Sequence, residues 1–246
     1  MKVVLIPGDG IGKEISESVK GVSKVLKTNI EWETHFAGAE YYEKTGKLFD
    51  DGMMDAIQAT GVTLKGPTAT PIGTGFRSIN VQLRQKFSTY ANLRPVHSIE
   101  GIKSRFEDVD LVIVRENSED LYKGIEYMYN ANTAHGIKLI TKDASERIAR
   151  FAFEYAKKHH RKKVTAVHKA NIMKICDGLF LEAFNKVAEE YPEIEHDSVI
   201  IDALCMKLVV DPTKYDVLVT ENLYGDIISD LCAGLVGGLG FAPSAN

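Results

Sequence analysis

The chain has 246 residues, 44% of them hydrophobic and 26% charged, the make-up of a soluble globular protein with room for one large domain or two ordinary ones. A formal net charge of -4 argues against nucleic acid as a general partner. The longest uncharged stretch, "LCAGLVGGLGFAPSAN", is broken by glycines and shorter than the roughly 20 apolar residues of a membrane span, so no membrane anchor is expected. Cys176, Cys205 and Cys232 are odd in number and widely spaced, which predicts reduced thiols and neither a zinc site nor a disulfide framework. Met1 to Pro7 is too short an apolar run for a signal peptide, and a cytoplasmic protein is expected.

Along the chain, strand patterns alternate with helical ones. A strand at 2–6 leads through "IPGDGIG" into a helix at 12–27, where Ile15, Val19, Val22 and Leu26 form one apolar stripe. The three glycines suggest a dinucleotide fingerprint, but its third glycine would have to stand where Lys13 does, and Pro7 removes a donor amide. The turn therefore reads as structural. Strands at 30–36 and 62–66, separated by helical stretches at 38–45 and 50–60, complete a βαβαβ start with a parallel sheet. After the loop "GPTATPIGTGF" come a helix at 79–87, strands in "ANLRPVHS" and "VDLVIVREN", and a hairpin or projecting arm within 121–141. A helix at 143–159, a strand in "KVTAVHKA", a helix near 172–190, strands at 198–202 and 216–221, and a helix at 225–236 follow.

Three groups of residues could carry chemistry. Arg84, Arg94 and Arg115 stand near predicted element ends, and a convergent set of guanidinium forks suits a di- or tricarboxylate. Most basic side chains, however, simply lie on solvated faces. Asp226 and Asp230 are four apart at the start of a helix, so their carboxylates share one face and would repel without a cation between them. A hard divalent ion fits, with Asp202 at the end of the strand "VIIDA" as a third ligand; the bland alternative is a helix-terminal acid and an exposed one. Lys169, directly after a buried-looking strand, and Tyr122 are candidate proton handlers, although such residues more often reach solvent or pack. There is no HExxH or GxSxG pattern, which disfavours zinc and serine hydrolases.

These segments together resemble the β-decarboxylating dehydrogenases, which include isocitrate, homoisocitrate and 3-isopropylmalate dehydrogenases. The resemblance runs through "IPGDGIG", "GPTATPIGTGFRSINVQLR", "YANLRP", "VIVRENSEDLYKGIE", "VHKANIMK", "DALCMKLV" and "NLYGDIISDLCAGLVGGLGFAPSAN". It implies an α/β, isopropylmalate dehydrogenase-like two-domain fold with parallel and mixed sheets and a nicotinamide cofactor bound without a Rossmann fold. Residues 1–95 with 237–246 would form the larger, cofactor-side domain, and 96–236 the smaller dimerisation and metal domain, with an arm at about 120–142. By resemblance, Arg84, Arg94 and Arg115 hold the carboxylates of a 2-hydroxy acid; Asp202, Asp226 and Asp230 bind Mg²⁺ or Mn²⁺; Lys169 and Tyr122 move protons; and Thr70 and Asn171 lie near the nicotinamide. Lys169 and Asp202 would enter from the neighbouring subunit of a homodimer.

The helix after the proline loop begins "RSIN", and Ser78 and Asn80 can hydrogen-bond a γ-carboxylate. Facing an isopropyl group they would be left unpaired, at about 1–3 kcal/mol each. Isocitrate is therefore expected ahead of homoisocitrate or 3-isopropylmalate, with NAD ahead of NADP. Family members usually continue beyond "GGLGFAPSAN" into the segment that selects the cofactor, so the chain reads as truncated at its C-terminus. The alternatives are a non-catalytic regulatory subunit of a heteromeric isocitrate dehydrogenase and a generic α/β domain. Had a transit peptide been removed, the mitochondrial matrix would replace the cytoplasm as the expected compartment.

Overall fold

The structure is a computed structural model that describes residues 1–69 and 78–246. Two compact units divide the chain, Met1–Phe87 and Ser88–Asn246. In the first, β1 (Lys2–Ile6), β2 (Glu31–Thr34) and β3 (Thr63–Lys65) make a parallel sheet in the order β2-β1-β3. Helices α1 (Gly12–Val25), α2 (Ala39–Thr45) and α3 (Met53–Thr60) link the strands, and α4 (Ile79–Phe87) closes the unit. Val4, Ile6, Met53, Ile57 and Ile79 form its core.

The glycine turn after β1 is a joint between elements. Gly8 and Gly10 have φ of +74° and +55°, and a Cβ on Gly8 would meet the Pro67 carbonyl at 1.9 Å. The Asp9 amide donates to that carbonyl, and the Asp9 carboxylate accepts from the amides of Ala39, Glu40 and Ala69. The Gly10 amide goes to Glu40 and that of Gly12 to the Asp9 carbonyl. These amides are engaged within the unit and are not held out for a phosphate.

Helix α1 departs from expectation. Its apolar stripe is turned outward, with Ile15 46%, Val22 58% and Leu26 69% exposed, while Gly12, Ser16 and Ser23 are buried. The physical reason is close approach: a Cβ on Gly12 would lie 2.0 Å from the Pro7 carbonyl, so only small residues fit on the inner face. The Ser16 hydroxyl is satisfied there by the Gly12 carbonyl at 2.7 Å.

In the second unit, β4 (Ala91–His97), β5 (Asp110–Glu116), β8 (Lys163–His168), β9 (Glu195–Ile200) and β10 (Val217–Thr220) form one sheet in the order β4-β5-β10-β8-β9. All neighbours are parallel except β4 and β5. Central strands such as "VLVT" and "LVIV" are buried along their length and almost wholly apolar because both faces are covered. On one face α5 (Lys142–Lys158) and α6 (Cys176–Ala188) pack Ile148, Phe153, Phe180 and Phe184 against Val114, Val164 and Val219. On the other, α7 (Ile201–Val210) and α8 (Asn222–Leu235) bring Leu204, Leu208, Ile228 and Cys232 onto Leu111, Ile113 and Leu218. Strands β6 (Glu126–Asn130) and β7 (Thr133–Gly136) form the expected hairpin, exposed along its whole length.

One expected element is corrected. Asp202 does not end a strand: β9 stops at Ile200, and Asp202 lies in the first turn of α7. The run "SVII" carries β propensity, but Leu204 and Leu208, four apart, turn one helical face into the core and win. Among the described residues no helix is long and apolar enough to cross a membrane, and all three cysteines are free.

Candidate active site

The candidate residues of the second unit gather at the carboxyl ends of its parallel strands, where open α/β sheets bind ligands. Arg115 is the penultimate residue of β5, and its side chain is 1% exposed. Both its Nε and Nη2 donate to Asn222 Oδ1, at 3.1 and 2.7 Å, and its Nη1 donates to Asp226 Oδ1. The Tyr122 hydroxyl, from a 3-10 turn at Asp120–Lys123, donates to the other oxygen of Asp226 at 2.5 Å, and the Tyr122 ring lies under the guanidinium at 5.1 Å. Burial and then the Asp226 hydrogen bond raise the Tyr122 pKa, so its proton is retained near neutrality.

Arg94, on β4, places Nη1 3.6 Å from Asp230 Oδ1 and donates through Nε to Asn92 Oδ1 at 2.9 Å. Burial first, and the Arg115 charge second, pull the Arg94 pKa below its usual value. The Asn92 amide nitrogen in turn donates to Ser244 Oγ and the Ala245 carbonyl, at 2.8 and 3.0 Å, beside an antiparallel Leu93–Ala245 bridge. Asn222, Asp226 and Asp230 recur every four residues, so one stripe of α8 carries the acceptors for both arginines.

Gly225 lets this happen. A Cβ there would meet Thr220 Oγ1 at 2.3 Å and Arg115 Cγ at 2.5 Å, so the guanidinium stem passes under the helix only because the position has no side chain. Helix α8 begins at Asn222, which leaves no acid in its first turn and puts Asp226 one turn in. The reading of Asp226 as a charge serving the helix N-terminus therefore gives way to that of an arginine partner.

Lys169 and Asp202 form a second group. Lys169 follows β8, and its ammonium donates to Asp202 Oδ1. Asn171 is exposed in the turn that follows. Among the described residues no three His, Cys, Asp or Glu side chains stand close enough to hold a metal. Asp226 and Asp230 do fit as half of a hard-cation site: both are oxygen donors on one helical face, and an ionised carboxylate has about four lone-pair positions, only two of which Asp226 uses.

In the first unit, Ser78 and Asn80 are half-buried at the start of α4, and the Ser78 carbonyl accepts the Gln82 amide at 3.1 Å. Arg84 is half-buried one turn after Asn80, and Thr70 lies outside the described residues. Lys65, unremarkable in sequence, joins this list. Burial and the Arg84 charge push its pKa down to about 8 against the pull of Asp9, while its ammonium donates to the Gly66 carbonyl and Thr68 Oγ1. Its folded pKa lies below its ordinary value of 10.5, so between pH 8 and 10.5 the unfolded chain binds more protons and stability rises with pH. The expected result is that wild type gains on Lys65→Met by about 2 kcal/mol over that interval in paired thermal melts. Parallel pH curves would contradict it.

Sequence reasoning missed Asn92, Asn222, Gly225 and Lys65. Only "NLYGD" held a usable signal, since Asn222 stands one helical turn before Asp226.

The doubly covered mixed sheet, with paired arginines and carboxylates at its carboxyl edge, defines an α/β protein of isopropylmalate dehydrogenase-like fold. The chain belongs to the isocitrate/isopropylmalate dehydrogenase family, whose sequence pattern it matches over residues 2–246. It is 50% identical over 246 residues to the chloroplastic 3-isopropylmalate dehydrogenase of Solanum tuberosum, covering all of this chain and 69% of that protein. To the mitochondrial NAD isocitrate dehydrogenase catalytic subunit 5 of Arabidopsis thaliana it is 52% identical over 242 residues, covering 98% of this chain and 65% of that one. The crystal structure of isocitrate dehydrogenase from Methylococcus capsulatus matches it with a TM-score of 0.97 at 49% identity, over all of this chain and 74% of that one. The chain thus spans about two thirds of the length of the curated relatives it matches.

Proposed function

We propose that the protein carries out the metal-dependent oxidative decarboxylation of isocitrate to 2-oxoglutarate with reduction of NAD. The observation that carries this reading is the cluster of Arg94, Arg115, Tyr122, Asp226 and Asp230, in which cationic forks and carboxylates lie side by side at a sheet edge. Arg94, Arg115 and Arg84 bind substrate carboxylates, with Ser78 and Asn80 as hydrogen-bonding groups for the γ-carboxylate. Asp226, Asp230 and Asp202 of the partner subunit would hold Mg²⁺ or Mn²⁺. When bound, the cation supplies Lewis acidity at the C2 oxygen, and the nicotinamide, near Thr70 and Asn171, supplies the hydride acceptor. Lys169 takes the C2 hydroxyl proton. Tyr122, whose hydroxyl stays protonated near neutral pH, returns a proton to carbon after the β-carboxylate leaves.

A homodimer with shared sites is part of the proposal. It is supported by the placement of the Lys169–Asp202 pair on the turn after β8 and on α7, elements that do not carry the arginine cluster, and by the exposed apolar residues Ile172 and Ile175 before α6, Met206 and Val210 on α7, and Ile227 on α8. Of the two expected compartments, the A. thaliana relative favours the mitochondrial matrix.

Identity near 50% to relatives of both names does not separate the substrates, so α4 carries that choice. Asn80→Leu is expected to lower kcat/KM for isocitrate about 10- to 100-fold, the value of one lost charged hydrogen bond, with no such loss for 3-isopropylmalate. The direct test is NAD⁺ reduction with isocitrate and Mg²⁺. Turnover with 3-isopropylmalate alone would reassign the substrate, and isocitrate binding in calorimetry with no turnover would favour the regulatory-subunit alternative.

A further inference from the structure

Behind Lys169 and the start of α8 lies a buried charge cluster that the proposed chemistry does not use. Lys138, in the segment between β7 and α5, has a side chain only 10% exposed. Its ammonium donates to Asp177 Oδ1 and, at 2.6 Å, to Glu221 Oε2; it also lies 4.4 Å from the centre of the Tyr224 ring. Asp177, in the first turn of α6, is fully buried, and Glu221, which immediately precedes α8, is 2% exposed. The second oxygen of Asp177 accepts the backbone amide of Lys169 at 2.6 Å. One ammonium therefore joins two carboxylates, one holding the backbone that bears Lys169 and the other standing at the head of the helix that bears Asp226 and Asp230.

Stability does not account for such a cluster. Apolar residues of similar volume often serve as well as a buried ion group or better, whereas directional charge pairs can fix a single relative placement of the elements that carry them. Tyr224, on the first turn of α8, adds a second contact from the same helix to the same ammonium.

We infer that Lys138 is a positioning residue: it ties the Lys169 loop to the head of α8, and so keeps the proton-handling lysine and the metal-binding carboxylates at one fixed spacing within the subunit. The inference rests on the roles proposed above for Lys169 and Asp226. In a dimer with shared sites, Lys169 serves the partner's centre and α8 its own, so the same tie would set the geometry of both.

The test uses the full chain with isocitrate, NAD⁺ and Mg²⁺. Lys138→Met is expected to lower kcat 10- to 100-fold while KM for isocitrate changes less than threefold, since the arginines are untouched. A residue acting partly through Lys169 should have a smaller effect once that lysine is gone, so Lys138→Met added to Lys169→Met should lower the residual rate at least threefold less than it lowers the wild-type rate. A merely structural role would lower both backgrounds alike and overturn the inference. Should Lys138→Met fail to fold, Glu221→Gln, which keeps the shape and removes the charge, is expected to lower kcat at least threefold with KM preserved; wild-type kcat in that variant would also overturn it. Full activity in Lys169→Met would instead sink the proposed role of Lys169, which separates the two failures.

Discussion

Asp226→Asn is expected to cut kcat/KM for isocitrate roughly 1,000-fold, about 4 kcal/mol of transition-state stabilisation. The size follows from how many groups meet at this carboxylate. It accepts from Arg115 on one oxygen and from Tyr122 on the other, and it is the more enclosed of the two acids offered to a cation. Asparagine keeps the shape and one acceptor, but it loses the negative charge that a hard ion requires and that balances the guanidinium. Asn222 still holds the other edge of Arg115, so the variant should fold, with a melting temperature a few degrees below wild type. Initial rates across Mg²⁺ and Mn²⁺ concentrations check the outcome. More than a tenth of wild-type activity at saturating metal would remove Asp226 from the site.

The second large effect is a restoration. Lys169→Met and Asp226→Asn should each be nearly inactive alone, yet mixing the two after dissociation and reassembly is expected to recover about a quarter of wild-type activity. Random reassociation makes half of the dimers mixed, and each mixed dimer has one centre with both wild-type residues and one with neither. The expectation depends on Lys169 serving the partner's centre. Its ammonium lies with Asp202 on a group of elements distinct from the one where Arg115 and Tyr122 converge on Asp226. No recovery, with mixed dimers demonstrated by mass, would place each centre within a single subunit.

Much of this architecture was legible beforehand. The apolar strands and the helices between them were read closely from periodicity, because burial on both faces leaves little choice of residue in "LVIV" or "VLVT". Asp226 and Asp230 were legible as a pair because helical spacing is local. What escaped was whatever depends on approach distance or on strand order. Helix α7 was hidden by the β-branched run before it, and the outward stripe of α1 by the assumption that the apolar side of a helix faces in. Lys138, Asp177 and Glu221 stand far apart along the chain and meet only because β10 inserts between β5 and β8. Asn92 carries no pattern of its own; it matters only through the guanidinium it steadies.

The grip of Asn92 on Ser244 and Ala245 has a practical outcome for anyone engineering the molecule. A single amide stands between Ser244 and Ala245 and the Arg94 fork, so a backbone change at those two residues would reach the guanidinium without replacing any charged side chain of the cluster.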